Sequence, residues 1–165
     1  MTGIDDSLDA LVLAVAEALR TREQKLATAE SCTGGLIATR LTDIAGSSQW
    51  FERGIISYSN EAKQELLGVP SATLESHGAV SAATVIAMAD GLLARAPVQW
   101  TLAVSGIAGP DGGTPDKPVG TVWIAWAGQG IATAASRYLI AGNRAEVREQ
   151  SAREALRGLL MLIRV

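Results

Sequence analysis

KLATAESCTGGL, residues 25–36, predicts the basic unit of the fold, a strand that leads through two glycines into a helix. Residues 25–30 form the candidate strand, Gly34 and Gly35 form the turn, and a helix is expected from about Leu36 to Asp43. Small residues in the turn let the backbone approach a ligand, and the N–H groups of a helix start suit a phosphate or carboxylate. An ordinary capped turn is the alternative that spacing alone leaves open.

Helices and strands alternate on both sides of this unit. Before it, Ser7 is a predicted cap for a helix to about Arg20. The elements expected after it are a strand at Ile55–Ser59, a helix at Glu61–Leu67, a helix from the cap Ser81 to about Arg95, a strand at Trp100–Ser105, a hairpin of Val119–Ala127 with Thr133–Ile140, and a helix from the cap Asn143 to about Ile163. This order predicts one α/β domain, residues 1–165, built in layers around a mixed sheet.

The composition narrows the class of protein. Apolar residues make up 48% and charged residues 19% of the 165 residues, as in ordinary globular domains. A net charge of -3 gives no basic surface for nucleic acid or for an anionic membrane, so neither partner is expected. Cys32 is the single cysteine, which excludes an intramolecular disulfide. Residues 1–9 carry three aspartates and no basic residue, unlike a targeting peptide, so we expect a cytoplasmic protein.

Metal ligands are scarce in this sequence. One histidine and one cysteine make no ligand cluster, and no paired acidic motif is present, so neither a metal nor an organic cofactor is expected. His77 precedes Gly78 in a predicted loop, where a solvated or structural role is expected.

A serine, a tyrosine and a lysine follow one another in the next stretch. Ser48 lies in the turn of Gly46–Gly54, and Tyr58 and Lys63 come shortly after it. A tyrosine at a strand end and a lysine in the following helix can face the same cavity. Lysine can take the proton of a serine nucleophile when burial or nearby positive charge lowers its pKa. A helix cap or a local turn is the alternative role for Ser48.

A third candidate stretch, Ser105–Gly113, begins at the carboxyl end of a predicted strand, where ligands bind in open α/β sheets. It belongs to a loop, Gly106–Gly120, with five glycines and three prolines, and loops of that length in compact domains often bind ligands. A merely flexible loop is the alternative. Arg137 and Arg144 lie near the hairpin and the last helix, and either can pair with a phosphate.

Several of these motifs together resemble the C-terminal domain of the competence/damage-inducible protein CinA. The matching segments lie in order from about Leu8 to Leu160, and they are Thr28–Gly35, Gly46–Gly54, Tyr58–Asn60, His77–Ser81, Ser105–Pro110 and Pro118–Val122. The resemblance implies a three-layer α/β/α sandwich that forms homodimers or larger oligomers. Stand-alone members hydrolyse nicotinamide mononucleotide to nicotinate mononucleotide and ammonia, a step of pyridine nucleotide salvage.

The same resemblance implies roles for individual residues. Ser48 is the expected nucleophile, and Lys63 and Tyr58 handle its proton. Ser31 is the second choice for the nucleophile and Ser105 the third. The expected substrate-binding residues are Ser31, Thr33, Gly34, Gly35, Gly46, Asn60, Ser105, Gly106, Gly109 and Arg144.

Two other functions remain open from the sequence. One is an amidase that acts on a different small carboxamide. The other is a binding protein without catalytic activity, associated with competence or DNA damage.

Overall fold

The computed structural model describes residues 6–164, and all elements predicted from the sequence except one strand have nearly the expected bounds. The helices are α1 Leu8–Thr21, α2 Leu36–Thr42, α3 Asn60–Leu67, α4 Ser71–His77, α5 Ala82–Arg95 and α6 Arg144–Ile163, and the strands are β1 Leu26–Glu30, β2 Phe51–Ile56, β3 Trp100–Gly106, β4 Thr121–Gly128 and β5 Ala134–Leu139. No helix within residues 6–164 is both long and apolar enough to cross a membrane. The single-domain prediction also included residues 1–5 and 165, which lie outside the described residues.

The five strands form one mixed sheet in the order β2-β1-β3-β4-β5. β1 runs parallel to both β2 and β3, whereas β3, β4 and β5 are antiparallel neighbours. The chain leaves β1 towards β2 and returns to β3 on the other side of β1. The crevice between β1 and β3 is therefore a topological switch point, where open α/β sheets bind ligands.

Helices cover both faces of the sheet, which confirms the α/β/α layers. One core joins α1, α2 and α6 to the larger side chains of the sheet, such as Leu26, Leu102 and Ile124. The other core joins α5, α3 and α4 to the opposite face, whose buried residues are mostly alanines, among them Ala103 and Ala125. Successive strand residues point to opposite faces, so the two cores alternate along each strand.

Helix starts follow the capping chemistry that the sequence indicated. Ser7, Ser59 and Ser81 each accept a hydrogen bond from the backbone N–H three residues ahead. Asn143 and Glu146 form a reciprocal capping box at the start of α6. These contacts fix where α3, α5 and α6 begin, next to the carboxyl ends of the parallel strands.

Two local predictions were wrong. The strand expected at Ile55–Ser59 is β2, and it begins earlier, at Phe51. The start of this strand is hard to predict because it contains Glu52, Arg53 and Gly54, and charged residues and glycine are rare in strands. β2 is an edge strand, which tolerates such residues. The loop expected around His77 is in fact the helix α4, which ends at His77.

Candidate active site

Three serines mark the carboxyl ends of the three parallel strands. Glu30 lies in register with Ile56 on one side and with Val104 on the other. The next residues, Ser31, Ser57 and Ser105, are all buried at the same edge of the sheet. The parallel register thus gathers residues from distant parts of the sequence at the switch point.

Ser31 is held by its backbone on both sides. Its N–H donates to Val104 O at 3.0 Å, and its carbonyl accepts from Gly34 N at 3.0 Å. The preceding residue, Glu30, is buried, and its carboxylate accepts from Ile37 N at 2.9 Å and Ala38 N at 3.1 Å in the first turn of α2. A carboxylate at a helix N-terminus is favoured by the helix dipole, so Glu30 fixes the junction between β1 and α2.

Lys63 is buried beside Ser31, with only 1% of its surface exposed. Its Nζ lies 3.0 Å from Ser31 Oγ, 2.8 Å from Ser57 O and 3.1 Å from Tyr58 O. A neutral amine has two N–H donors and one lone pair. When the two carbonyls accept both donors, the lone pair is left for the Ser31 hydroxyl.

The surroundings of Lys63 make the neutral amine more accessible than it is in a solvated lysine. Lys63 forms no ion pair with a carboxylate within the described residues. Burial lowers the pKa of Lys63 below its ordinary value of 10.5, and the nearby Cys32 opposes this shift. Burial also raises the pKa of the Cys32 thiol to about 12, so this cysteine is a protonated wall residue and not a thiolate.

A cavity of about 290 Å³ opens over Ser31 and Lys63. Seven of the expected site residues line it, namely Ser31, Tyr58, Lys63, Ser105, Gly106, Gly109 and Arg144. The prediction that Tyr58 and Lys63 face one cavity is confirmed. The candidate stretches also contribute Cys32, Ile107, Ala108, Asp111 and Gly112 to the lining, whereas Ala79 and Val80 were not expected there.

Tyr58 and Arg144 form the outer wall of this cavity. The Tyr58 side chain is 60% exposed, and its hydroxyl oxygen accepts a hydrogen bond of 3.2 Å from Arg144. Arg144 also donates to Gly109 O at 2.8 Å, which ties the start of α6 to the glycine-rich loop. Tyr58 therefore contacts Lys63 through the backbone carbonyl of Tyr58, whereas the Tyr58 hydroxyl faces the cavity mouth.

Arg148 supports the turn after Ser31 from behind. It donates to Cys32 O at 3.1 Å and to Thr33 O at 3.0 Å, and it is half-buried. From sequence it resembled any surface arginine of the last helix. Its position about one turn after the capping box is the one feature of the sequence that could have indicated this role. That feature is weak evidence, because the same helix also carries Arg153 and Arg157.

The structure does not place Ser48, the expected nucleophile, beside Lys63 and Tyr58. It lies in a short 3₁₀ turn, Ser47–Gln49, immediately before β2. Lys63 follows β2, and the six residues of that strand span about 20 Å. Ser48 is also exposed and absent from the cavity lining, so Lys63 has no contact with it.

Five further residues expected to bind substrate do not line the cavity. Gly46 lies beside Ser48 at the far edge of the sheet, and Asn60 is exposed at the start of α3. Thr33, Gly34 and Gly35 form the back of the turn, where Gly34 and Gly35 have positive φ angles of 57° and 97°. These three residues shape the backbone around Ser31 and do not face the cavity. Thr33 is buried, and its hydroxyl has no partner within the described residues.

No group of three or more histidine, cysteine, aspartate or glutamate side chains within residues 6–164 is arranged to hold a metal ion. The polar groups at the centre of the cavity are a serine and a lysine. A serine and a buried amine in contact are able to carry out nucleophilic attack with proton transfer to the amine.

Comparison with known proteins identifies the family. A family model described as the CinA C-terminal domain matches residues 8–163. The chain belongs to the CinA C-terminal domain family. The CinA resemblance expected from the motifs is thereby confirmed.

Individual CinA relatives match along almost their full length. The nicotinamide-nucleotide amidohydrolase PncC of Escherichia coli K12 is 50% identical over 158 residues, which cover 94% of each chain. The crystal structure of competence damage-inducible protein A from Klebsiella pneumoniae has a TM-score of 0.90 at 41% identity, covering 94% of this chain and 96% of that one. That of the competence/damage-inducible protein CihA from Agrobacterium tumefaciens has a TM-score of 0.92 at 39% identity, covering 96% of both.

Proposed function

We propose that this chain hydrolyses the carboxamide of nicotinamide mononucleotide to give nicotinate mononucleotide and ammonia, with Ser31 as the nucleophile and Lys63 as its base. The observation that carries the mechanism is the contact of 3.0 Å between Lys63 Nζ and Ser31 Oγ inside a cavity. The substrate is inferred from full-length relatives named nicotinamide-nucleotide amidohydrolase.

In the first half of the reaction, Ser31 Oγ forms a bond to the carboxamide carbon while its proton passes to neutral Lys63. The tetrahedral intermediate then collapses, its C–N bond breaks, and the departing amine takes a proton and leaves as ammonia. Lys63 supplies that proton, and the Tyr58 hydroxyl is the second donor within the cavity. Tyr58 oxygen accepts from Arg144, which leaves its own hydrogen available to the substrate.

The developing oxyanion needs donors close to Ser31. The backbone N–H of Cys32 directly follows the nucleophile and has no backbone acceptor within the described residues. An N–H in this position serves as an oxyanion donor in other serine hydrolases. Such a donor is worth about 3 kcal/mol in the transition state.

In the second half, water attacks the ester carbon of the acyl-enzyme and gives its proton to Lys63. The C–O bond to Ser31 breaks, Ser31 regains a proton, and nicotinate mononucleotide leaves. The carbonyls of Ser57 and Tyr58 hold Lys63 in place during both proton transfers. One buried amine thus serves each half-reaction in turn.

The rest of the substrate lies against the loop of Ser105–Gly109 and beside Arg144. At about 290 Å³ the cavity is at the small end of ligand pockets, so the ribose phosphate extends towards its mouth. Arg144 is the positively charged residue there and is suited to a phosphate or to the ribose hydroxyls. We also propose a cytoplasmic homodimer or larger oligomer, which size-exclusion chromatography with light scattering would measure.

Incubation of the purified chain with a panel of carboxamides tests the proposal. The panel is nicotinamide mononucleotide, nicotinamide, nicotinamide riboside, asparagine and glutamine. Ammonia release from the mononucleotide, with formation of nicotinate mononucleotide by mass spectrometry, is the expected result. Faster turnover of another carboxamide would reassign the substrate. No ammonia from any compound would contradict an amidase and favour a binding protein.

A further inference from the structure

A second cavity, of about 410 Å³, lies beside the catalytic one and shares Val80 with it. Its wall is formed by the end of α4, the first residues of α5, the long loop and the faces of β4 and β5. The lining residues are Ser76, His77, Val80, Ser81, Ala82, Asp116, Lys117, Trp123 and Arg137. The proposed reaction uses none of the charged groups in this second cavity.

Two cations line this second cavity without a charged partner. Lys117 Nζ donates to His77 O at 2.8 Å, and Arg137 donates to Asp116 O at 3.2 Å, so both contact backbone carbonyls. Neither forms an ion pair with any residue between 6 and 164. Asp116 is the one acidic residue in the lining, and it is exposed. Two cations and one carboxylate thus line this wall, and neither cation is ion-paired within the described part of the protein.

Other donors lie in the same wall. The first turn of α5 begins at the cap Ser81, and Ala82 brings backbone N–H groups of a 14-residue helix to the cavity. The indole N–H groups of Trp123 and Trp50 donate to no acceptor within the described residues, whereas those of Trp100 and Trp126 do donate. Cationic side chains, a helix start and an indole N–H are all groups that bind anions.

We propose that this second cavity binds a phosphate group of a small molecule, with Lys117 and Arg137 as its charged contacts. Its volume leaves room for a phosphate with an attached organic group such as a ribose. The phosphate belongs either to the substrate, reaching across Val80, or to a separate phosphorylated compound. Only the first of these two sources rests on the proposed function.

Titration of the full chain with inorganic pyrophosphate, followed by calorimetry and by tryptophan fluorescence, tests the site. Saturable binding is expected, and Arg137→Gln should weaken it about tenfold because a charge-assisted hydrogen bond is lost. Arg137 is exposed on an edge strand, so this variant should fold. Arg22→Gln, an exposed arginine remote from both cavities, is the matched control and should bind like the native chain. Trp123→Phe should abolish the fluorescence change.

Absence of saturation, or equal pyrophosphate affinity of the Arg137→Gln and Arg22→Gln variants, would overturn the proposal. Pyrophosphate binding does not depend on turnover, so a chain inactive on nicotinamide mononucleotide can still confirm the site. Kinetics then separate the two sources. If the site holds the substrate's phosphate, Arg137→Gln raises KM for the mononucleotide but not for nicotinamide riboside, and pyrophosphate competes with the mononucleotide. If it holds a separate compound, KM is unchanged and both ligands bind together.

Discussion

Lys63 Nζ lies 3.0 Å from Ser31 Oγ, although 32 positions separate the two residues in the chain. β1 ends at Glu30, directly before Ser31, and Lys63 lies in the first turn of α3, the helix that follows the parallel neighbour β2. The contact therefore depends on the register between two strands and on the cap that starts α3. Both features lead to predictions that separate this serine from the others.

Ser31→Ala should reduce ammonia release by a factor of at least about 1,000, because the nucleophile is removed while the cavity remains. Ser48→Ala is the matched control, and it should retain near-native kcat and KM because Ser48 is exposed at the other edge of the sheet. Circular dichroism checks that both variants fold. The reverse ranking would make Ser48 the nucleophile again and would contradict the geometry described above.

Lys63→Arg should be inactive at every accessible pH, since a guanidinium does not release its proton and so is no base. The native enzyme should lose kcat/KM as pH falls through the lowered pKa of Lys63, because the amine becomes protonated there. Lys25→Arg, on an exposed lysine, provides the control. The measurement is a pH profile of kcat/KM for all three proteins, and substantial activity in Lys63→Arg would rule out Lys63 as the base.

Lys63→Met should change how stability depends on pH. The folded-state pKa of Lys63 is below its ordinary value of 10.5, so between those two values the unfolded chain binds more protons than the folded one. Native stability therefore rises with pH in this window and falls as pH decreases towards the folded-state pKa. Lys63→Met lacks this dependence.

Urea unfolding at several pH values measures this effect. The free energy of unfolding of Lys63→Met minus that of the native chain should be most positive at low pH and should decrease towards pH 10.5. Lys25→Met controls for the loss of one lysine from the exposed surface. Parallel curves for Lys63→Met and the native chain would show that Lys63 is not buried in its neutral form.

Arg148→Met should lower kcat about tenfold with little change in KM, because two charge-assisted hydrogen bonds to the turn after Ser31 are lost. Arg153→Met on the same helix is a close control, since Arg153 also donates twice to a backbone carbonyl, that of Asp6, away from the cavity. Steady-state kinetics of the two variants, measured under conditions in which both are folded, give the comparison of kcat and KM. Equal effects of the two variants would mean that Arg148 is an ordinary helix arginine.

The sequence predicted most of the fold because helix caps and periodic apolar residues are local signals. Ser7, Ser81 and Asn143 each mark a helix start that the structure confirms. Tyr58 and Lys63 were also placed correctly at one cavity, since one follows a strand and the other lies in the next helix.

The structure does not bring Ser48 to the cavity of Lys63, for a geometric reason. Ser48 and Ser31 both lie beside strands, but one precedes β2 and the other follows β1. In parallel strands these positions are at opposite edges of the sheet, and local spacing does not reveal strand direction. The predicted strand also began at Ile55, whereas β2 begins at Phe51. Ser48 was therefore expected to lie close to Tyr58.

Val104, which fixes the backbone of Ser31, is in the second half of the chain. Arg144 and Arg148, which hold Tyr58 and the turn after Ser31, are later still. A chain emerging from the ribosome therefore carries Ser31 and Lys63 well before it carries the strand and helix that fix them. The proposed nucleophile and base therefore acquire their supporting contacts only late in translation, and we expect a truncated chain to lack the proposed amidase activity.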